Sequence, residues 1–211
     1  SYVNLNFDTS PSGGTVPPPG LDRTISTYWT YKFYGDAGDY YSWEKISEAS
    51  TLNPGEGYTM IGTSGAVPIT DKQNYVFVGL PNNGDITLAL DKTSGDVNRL
   101  IGNPYPSALD ATEFILDNLS VADGGNNTVN VFDGTIYFWD HFGEENSHVL
   151  KDYVGGYATF NLTGGAPAIS NDIRINNNGQ SSLKTPGDYI PVNQGFFVST
   201  VGATGGNVIF K

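Results

Sequence analysis

Few residues of this chain have the types and the spacing that catalysis requires. The histidines are His141 and His148, and there is no cysteine to act as a nucleophile or a thiolate ligand. A nucleophilic serine of the hydrolase type needs a Gly-x-Ser-x-Gly elbow, which the sequence lacks. A glycosidase needs two carboxylates flanking one bond, and no predicted strand carries Glu-x-Asp or Glu-x-Glu. We therefore predict that the protein is not an enzyme, and keep an unfamiliar glycan-active hydrolase as an alternative.

Aromatic residues offer the strongest indication of function. Tyr137, Trp139 and His141 alternate along one predicted strand, so that they share one face. A flat ring such as Trp139 can stack on the apolar face of a pyranose while His141 bonds a hydroxyl. Trp43 and Tyr41 form a second candidate group. The competing interpretation is that these rings belong to the core, where large aromatic side chains dominate burial.

Two turns carry clustered oxygen atoms of the kind that calcium prefers. Asp36 and Asp39 lie in the first turn, and Asp123 begins the second. Neither turn matches an EF-hand loop, and short Asp/Gly turns commonly serve only as turns. A structural calcium ion is therefore one interpretation, and we predict no other cofactor.

The charge balance narrows the classes of partner. The sequence has ten Lys and Arg residues and 22 Asp and Glu residues, which gives a net charge of −12. A surface of that sign repels phosphate backbones and anionic membrane surfaces, so we predict no nucleic-acid partner. No segment approaches the roughly 20 apolar residues of a membrane span. The charge is compatible with a glycan or another extracellular polymer as the partner.

The sequence predicts that the elements that position these residues are short strands. The chain has 27 glycines and 12 prolines, and turn residues separate brief apolar runs, which predicts an all-β, antiparallel, jelly-roll-like sandwich. One segment, 107–118, has helical spacing. Ser107 is predicted to cap this helix, with Leu109, Phe114 and Ile115 packed inward.

The order of the predicted elements repeats. An aromatic strand, a second strand, a strand with glycine before an aromatic residue, and a closing strand occur twice, which indicates duplicated units. We predict an edge strand and Pro/Gly-rich linker over 1–24, a first β unit over 25–92 and a second over 93–211. The two units could also form one continuous domain. If they are related, Gly57 corresponds to Gly195.

Five phrases give the chain a resemblance to a known group of proteins. They are 79–87 (GLPNNGDIT), 100–111 (LIGNPYPSALDA), 134–141 (GTIYFWDH), 157–165 (YATFNLTGG) and 193–198 (NQGFFV). In this order they resemble non-catalytic modules of very large secreted and cell-surface Bacteroidota proteins, which commonly end in a type IX secretion sorting domain. The Pro-rich stretch at 11–20 departs from the Trp-containing strand that often opens such modules. The resemblance implies an extracellular, adhesin-like location but carries no activity or catalytic residues.

These observations predict a non-catalytic module for adhesion or carbohydrate binding. The first alternative is a purely structural spacer or stalk unit, which would be favoured if the aromatic rings were buried and no groove existed. The hydrolase alternative would be favoured if two carboxylates converged in a cleft.

Overall fold

The fold consists mainly of short strands, as the composition predicts. The computed structural model describes residues 2–3, 6–8, 24–60, 74–75, 77–92, 95–141, 155–169 and 181–211. The strands are β1 (Tyr2–Val3), β2 (Asn6–Asp8), β3 (Thr24–Ser26), β4 (Tyr31–Asp36), β5 (Trp43–Lys45), β6 (Asn74–Tyr75), β7 (Ile86–Leu90), β8 (Val97–Gly102), β9 (Leu109–Asp110), β10 (Ile136–His141), β11 (Gly155–Asn161), β12 (Gly164–Ile169), β13 (Tyr189–Ile190), β14 (Gly195–Ser199) and β15 (Gly206–Phe210). The described α-helix is α1 (Ala111–Asn118), and 3₁₀ turns span Thr27–Trp29, Tyr40–Ser42 and Val121–Asp123.

A seven-stranded antiparallel sheet forms the main layer. Its strand order is β12-β11-β10-β14-β8-β4-β5. The β7–β15 and β9–β13 pairs and helix α1 pack on one side of it, while the β1–β6 and β2–β3 pairs are parallel. The all-β prediction, with a large antiparallel sheet and one short helix, is confirmed.

The core lies between the sheet and this second layer. On β14, Phe196 and Val198 are buried in it, whereas Phe197 between them points to the opposite face. Phe114 from α1 packs against Phe196 and Phe210, with ring centroids 5.5 and 5.1 Å apart. Burial of each such ring contributes about 1.5–3 kcal/mol. This leaves the other face of the main sheet outside the core.

The helix begins later than predicted, and its cap is a different residue. Ser107 does not cap it. The Asp110 side chain accepts a hydrogen bond from the Glu113 amide at 3.0 Å, while Leu109 and Asp110 pair with β13 as a strand. Asp110 and Glu113 have the same three-residue spacing on which the Ser107 prediction rested. The inward packing of Leu109, Phe114 and Ile115 is confirmed.

Strands from the two predicted units pair directly with one another. β4 pairs with β8, and β7 pairs with β15, so the sheets are continuous across residue 92. Gly57 donates its amide to the Leu100 carbonyl at 3.1 Å, and Gly195 lies opposite Gly102 on the other side of β8. The two glycines thus flank the same strand, and their correspondence as a duplication stays a prediction. Most of the predicted linker over 1–24 lies outside the described residues.

A buried arginine, held in an ion pair, links the sheet to the second layer. The Arg99 guanidinium lies 2.9 Å from the Glu56 carboxylate, and both side chains are over nine-tenths buried. Arg99 also donates to the Ala89 carbonyl of β7 and lies over the Tyr34 ring, 4.3 Å from its centroid. The guanidinium is therefore paired, hydrogen-bonded and stacked at once, which offsets the cost of burying its charge.

Two buried asparagines hold neighbouring backbone segments in place through hydrogen bonds of their side-chain amides. Asn118 exchanges both amide hydrogen bonds with the backbone of Ile209 at 2.8 Å, which ties α1 to β15. Asn103 donates to the carbonyls of Ser107 and Ile190 and accepts from the Tyr105 amide, which holds the Pro-rich turn after β8. This turn is the centre of the phrase at 100–111, so that phrase has a structural role. Within the described ranges, no helix is long and apolar enough to cross a membrane.

Candidate functional site

The face of the main sheet that points away from the core carries a row of aromatic side chains. Trp43 on β5 lies opposite Phe33 on β4, and Phe197 on β14 lies opposite Tyr137 on β10. Between these pairs, Leu100 on β8 lies opposite Phe197. Because alternate side chains share a face, paired residues in a row project to the same side of the sheet.

Ring contacts extend this row into a continuous surface. We call it the aromatic face, formed by Phe33, Trp43, Tyr137, Trp139, Tyr157 and Phe197. Trp139 contacts Tyr157 at 5.1 Å between centroids, and Tyr157 contacts Phe197 at 5.8 Å. Phe197 in turn contacts Trp43 at 6.0 Å. The interplanar angles of these pairs are steep, so the rings hold one another edge to face and keep their orientation without a ligand.

A groove of about 560 Å³ lies over the aromatic face. Phe33 and Phe197 contribute to its lining, together with residues 37–40 between β4 and β5 and Val201 after β14. Its size is typical of small-molecule sites, which range from about 300 to 1,000 Å³. Trp139 and Tyr157 are each 41% exposed, so the aromatic face presents ring surface to solvent.

The turn beside the groove is ordered by Asp39. Its carboxylate accepts hydrogen bonds from the Tyr41 amide and the Ser42 hydroxyl, both at 2.9 Å. This capping fixes the 3₁₀ turn, which places Tyr40 against the groove. Tyr41 is 92% exposed, does not line the groove and contacts the Tyr40 ring at 6.3 Å. Of the second candidate group, the structure therefore brings Trp43 to the groove but not Tyr41.

Asp133 and Tyr137 are hydrogen-bonded to each other in the groove, and the pKa of each is raised. The Tyr137 hydroxyl donates to Asp133 at 2.6 Å, and the Thr135 amide donates to the other carboxylate oxygen at 2.9 Å. Burial raises the pKa of Asp133, although both hydrogen bonds act to lower it. Burial and the adjacent carboxylate raise the pKa of Tyr137 to about 12. Tyr137 therefore stays a neutral donor at physiological pH.

The remaining polar groups of the groove are carboxylates, hydroxyls and one amide. The carboxylates of Asp39 and Asp133 line it, and no Lys, Arg or His occurs among the described residues that do so. Oδ1 of Asn98 is shielded from solvent and accepts no hydrogen bond from the described residues. The groove is therefore aromatic with a negatively charged rim.

Tyr137, Trp139 and His141 share one face of β10, as their alternation implies. Trp139 extends the aromatic face beyond the groove, and His141, half-buried, lies at the end of the strand opposite Gly155. The Trp139 indole lies directly over Gly155: a Cβ there would be 2.5 Å from Cζ2 of the ring. Glycine at 155 thus lets the indole lie flat against the sheet.

The residues proposed as calcium ligands have other partners or stand apart. The Asp39 carboxylate caps its turn, while Asp123 accepts from the Ser120 hydroxyl at 2.7 Å and the Asn130 amide at 2.8 Å. These hydrogen bonds hold the pKa of Asp123 below its usual value. Asp36 is exposed at the end of β4. Among the described residues there is no group of three or more His, Cys, Asp or Glu suited to a metal, and calcium binding stays a prediction.

Several residues of this site were not identified from the sequence. Phe197, Tyr157, Asp133 and Asn98 belong to it because of strand order, which brings β11, β10, β14 and β8 side by side. A period of two could have separated Phe197 from its buried neighbours on β14. It could not have shown that Phe197 lies beside Tyr137, because these residues are far apart in the chain.

Comparison with known proteins gives one result. A family model described as "Domain of unknown function (DUF8693)" matches residues 19–211. Neither a search of curated proteins nor a search of solved structures found a match.

Proposed function

This chain belongs to the family described as "Domain of unknown function (DUF8693)", and because that description assigns no activity, we propose a function from the site itself: the aromatic face binds carbohydrate. The observation that carries the proposal is the unbroken series of ring contacts from Trp139 through Tyr157 and Phe197 to Trp43. Rings of this kind stack on the apolar faces of sugars.

The shape of the surface favours a chain of sugars over a single one. Neighbouring rings meet edge to face, so alternate rings can present a face to a sugar, and the series of four rings, with successive centroids 5.1 to 6.0 Å apart, is longer than one sugar unit. Asp39 and Asp133 supply acceptors for hydroxyl groups along the same groove. Because the rings already hold one another, little conformational entropy is lost when the ligand binds.

The proposed setting is outside the cell, as an adhesive module of a larger secreted or surface protein. The support for this setting is the resemblance of the five phrases, and the net charge of −12 is compatible with it. A purely structural spacer would have no need of large, partly exposed rings in contact on one face, and this argues for binding.

A second candidate function is hydrolysis of the bound glycan. Two carboxylates, Asp39 and Asp133, line the same groove, and burial raises the pKa of Asp133 in the direction that a general acid requires. Each carboxylate is, however, engaged in hydrogen bonds that hold a turn. Release of reducing ends from a bound oligosaccharide, lost in Asp133→Asn, would favour this function.

Binding can be tested with a glycan array, followed by calorimetry on the oligosaccharides that score. Tyr157→Ala removes a 41% exposed ring from the aromatic face, and we expect it to weaken binding at least about tenfold without unfolding the protein. Tyr41→Ala is the matched control, because this 92% exposed ring lies outside the groove. Equal affinity of the two variants, or no glycan bound by the native protein, would contradict the proposal.

A further inference from the structure

The charge of the groove limits the class of sugar that it can hold. Asp39 and Asp133 are the ionisable carboxylates in its lining, and no Lys, Arg or His balances them among the described residues that line it. The net charge of −12 has the same sign. A uronic acid or a sulfated sugar would meet repulsion in the groove, whereas a cationic ligand would be attracted.

The rings act in the same direction as the carboxylates. The face of an aromatic ring is electrostatically negative and attracts a cation held within about 6 Å of its centroid. Trp43, Tyr137, Tyr157 and Phe197 all line the groove, so a cation inside it is within reach of several rings and not one alone. Rings with carboxylates at the rim are the usual combination for recognising an ammonium group.

The carboxylates of the groove match an amine better than a hydroxyl. The hydroxyl of Tyr137 already donates to Asp133 and so is occupied as a donor. A protonated amine has three N–H donors and a positive charge, so it can form charge-assisted hydrogen bonds with Asp39 and Asp133. A hydroxyl has one donor and no charge, so it gains less from the same two carboxylates.

We infer that the groove selects sugars carrying a protonated amine, such as unacetylated hexosamine units in an oligosaccharide. This inference rests on the proposed carbohydrate function and specifies its ligand class. The rings bind the apolar faces of the sugar units, and the carboxylates of Asp39 and Asp133 at the rim bind the ammonium group. Selectivity comes from the rim, while stacking supplies affinity for any neutral sugar of the same shape.

The test compares β-1,4-linked hexasaccharides that share the glucose backbone and differ in the group at C2 or C6: glucosamine, N-acetylglucosamine, glucose and glucuronic acid. Calorimetry is run with the whole protein at a pH where the amine is protonated, in low and in high salt. We expect the glucosamine hexamer to bind about tenfold more tightly than the N-acetylglucosamine and glucose hexamers, and the glucuronate hexamer to bind least. Salt should reduce the advantage of the glucosamine hexamer.

Two variants assign the selectivity to the rim. Asp133→Asn and Asp39→Asn keep hydrogen-bonding side chains of the same shape, and Asn caps a turn as well as Asp does. Each should lower the affinity for the glucosamine hexamer by a larger factor than that for the glucose hexamer, with thermal melting confirming the fold. Asp36→Asn removes an exposed carboxylate that does not line the groove and should change neither affinity.

Three results would overturn the inference. Equal affinity for the glucosamine and glucose hexamers would remove the selectivity while the carbohydrate function stands. Penta-lysine bound as tightly as the glucosamine hexamer would show that the groove recognises charge in a peptide and not a sugar. If no hexamer binds and Tyr157→Ala has no effect on any of them, the proposed function fails together with the inference.

Discussion

At the scale of single residues, the pair formed by Asp133 and Tyr137 shows how a groove keeps a carboxylate in an aromatic environment. The carboxylate is partly buried, and this raises its pKa. Its folded-state pKa therefore exceeds the unfolded value. By linkage, the stabilisation from this group is complete below the unfolded pKa and is lost as the pH rises through the folded pKa. The Tyr137 hydroxyl limits that loss because it donates to the ionised form at 2.6 Å.

Tyr137→Phe removes this donor and tests the pair. A hydrogen bond to a charged group contributes about 1.5–3 kcal/mol, so we expect a loss of that size in the free energy of unfolding at pH 7. The loss should shrink as the pH falls and Asp133 becomes protonated, because the neutral carboxyl depends less on the hydroxyl. Urea denaturation at pH 7 and at pH 3 measures it, with Tyr41→Phe as the exposed control. A loss of the same size at both pH values would contradict this account.

Gly155 gives a second prediction at this scale, because its lack of a side chain determines where the Trp139 ring lies. In Gly155→Ala the new Cβ would lie 2.5 Å from the indole, which must therefore move. Since the ring is 41% exposed and can swing outward, we expect a stability loss within about 1 kcal/mol but a clear change in tryptophan fluorescence and weaker glycan binding. Unchanged fluorescence and affinity would show that the position of the indole is immaterial.

At the scale of elements, the beginning of α1 distinguishes two sequence signals that look alike. Ser107 precedes Asp110 by three residues, and Asp110 precedes Glu113 by three, so both fit the capping pattern. Pairing of Leu109 with Ile190 extends the chain up to Asp110 and leaves only the second position available. The sequence alone could not decide this, since the deciding partner lies in a distant strand.

A pair of substitutions tests which residue caps the helix. Asp110→Ala removes the side-chain acceptor of the Glu113 amide and should lower the free energy of unfolding by about 1 kcal/mol. Ser107→Ala should have little effect, because only the backbone carbonyl of Ser107 receives a bond from Asn103. Thermal or urea denaturation of both variants provides the comparison. A larger effect of Ser107→Ala would restore the cap predicted from the sequence.

Strand β12 shows where periodicity fails as a guide to elements. Gly164, Gly165 and Pro167 give it little strand character, and it was not identified as a strand. It nevertheless forms the edge of the main sheet, where proline is tolerated because one side of the strand needs no donor.

The alternation of residues along β10 correctly predicted that Tyr137 and Trp139 share one face, because alternation within a strand is a local property. The groove joins β4, β8, β10, β11 and β14, and no local pattern contains that order.

At the scale of the whole molecule, the ion pair between Arg99 and Glu56 joins the two predicted units. We expect Glu56→Gln to cost about 3–5 kcal/mol, because it leaves the buried Arg99 charge without its partner. Adding Arg99→Met to Glu56→Gln should recover much of that loss, since the uncompensated charge is then gone. Equilibrium denaturation of the single and double variants measures both effects. A double variant less stable than Glu56→Gln would mean that Arg99 acts chiefly through Ala89 and Tyr34.

The position of β14 in the main sheet has a consequence for how the protein acquires its structure. β14 lies between β10 and β8, yet it is one of the last strands in the sequence. During synthesis, β8 and β10 are made before β14. The edges with which they pair to β14 in the finished sheet therefore stay unpaired until β14 has been made. Such edges recruit other strands, so a nascent or truncated chain is exposed to aggregation. Because the middle of the sheet depends on sequence-distant pairing, we expect folding to be slow. Removal of the segment from Gly195 onward would delete the middle of the sheet, not its margin.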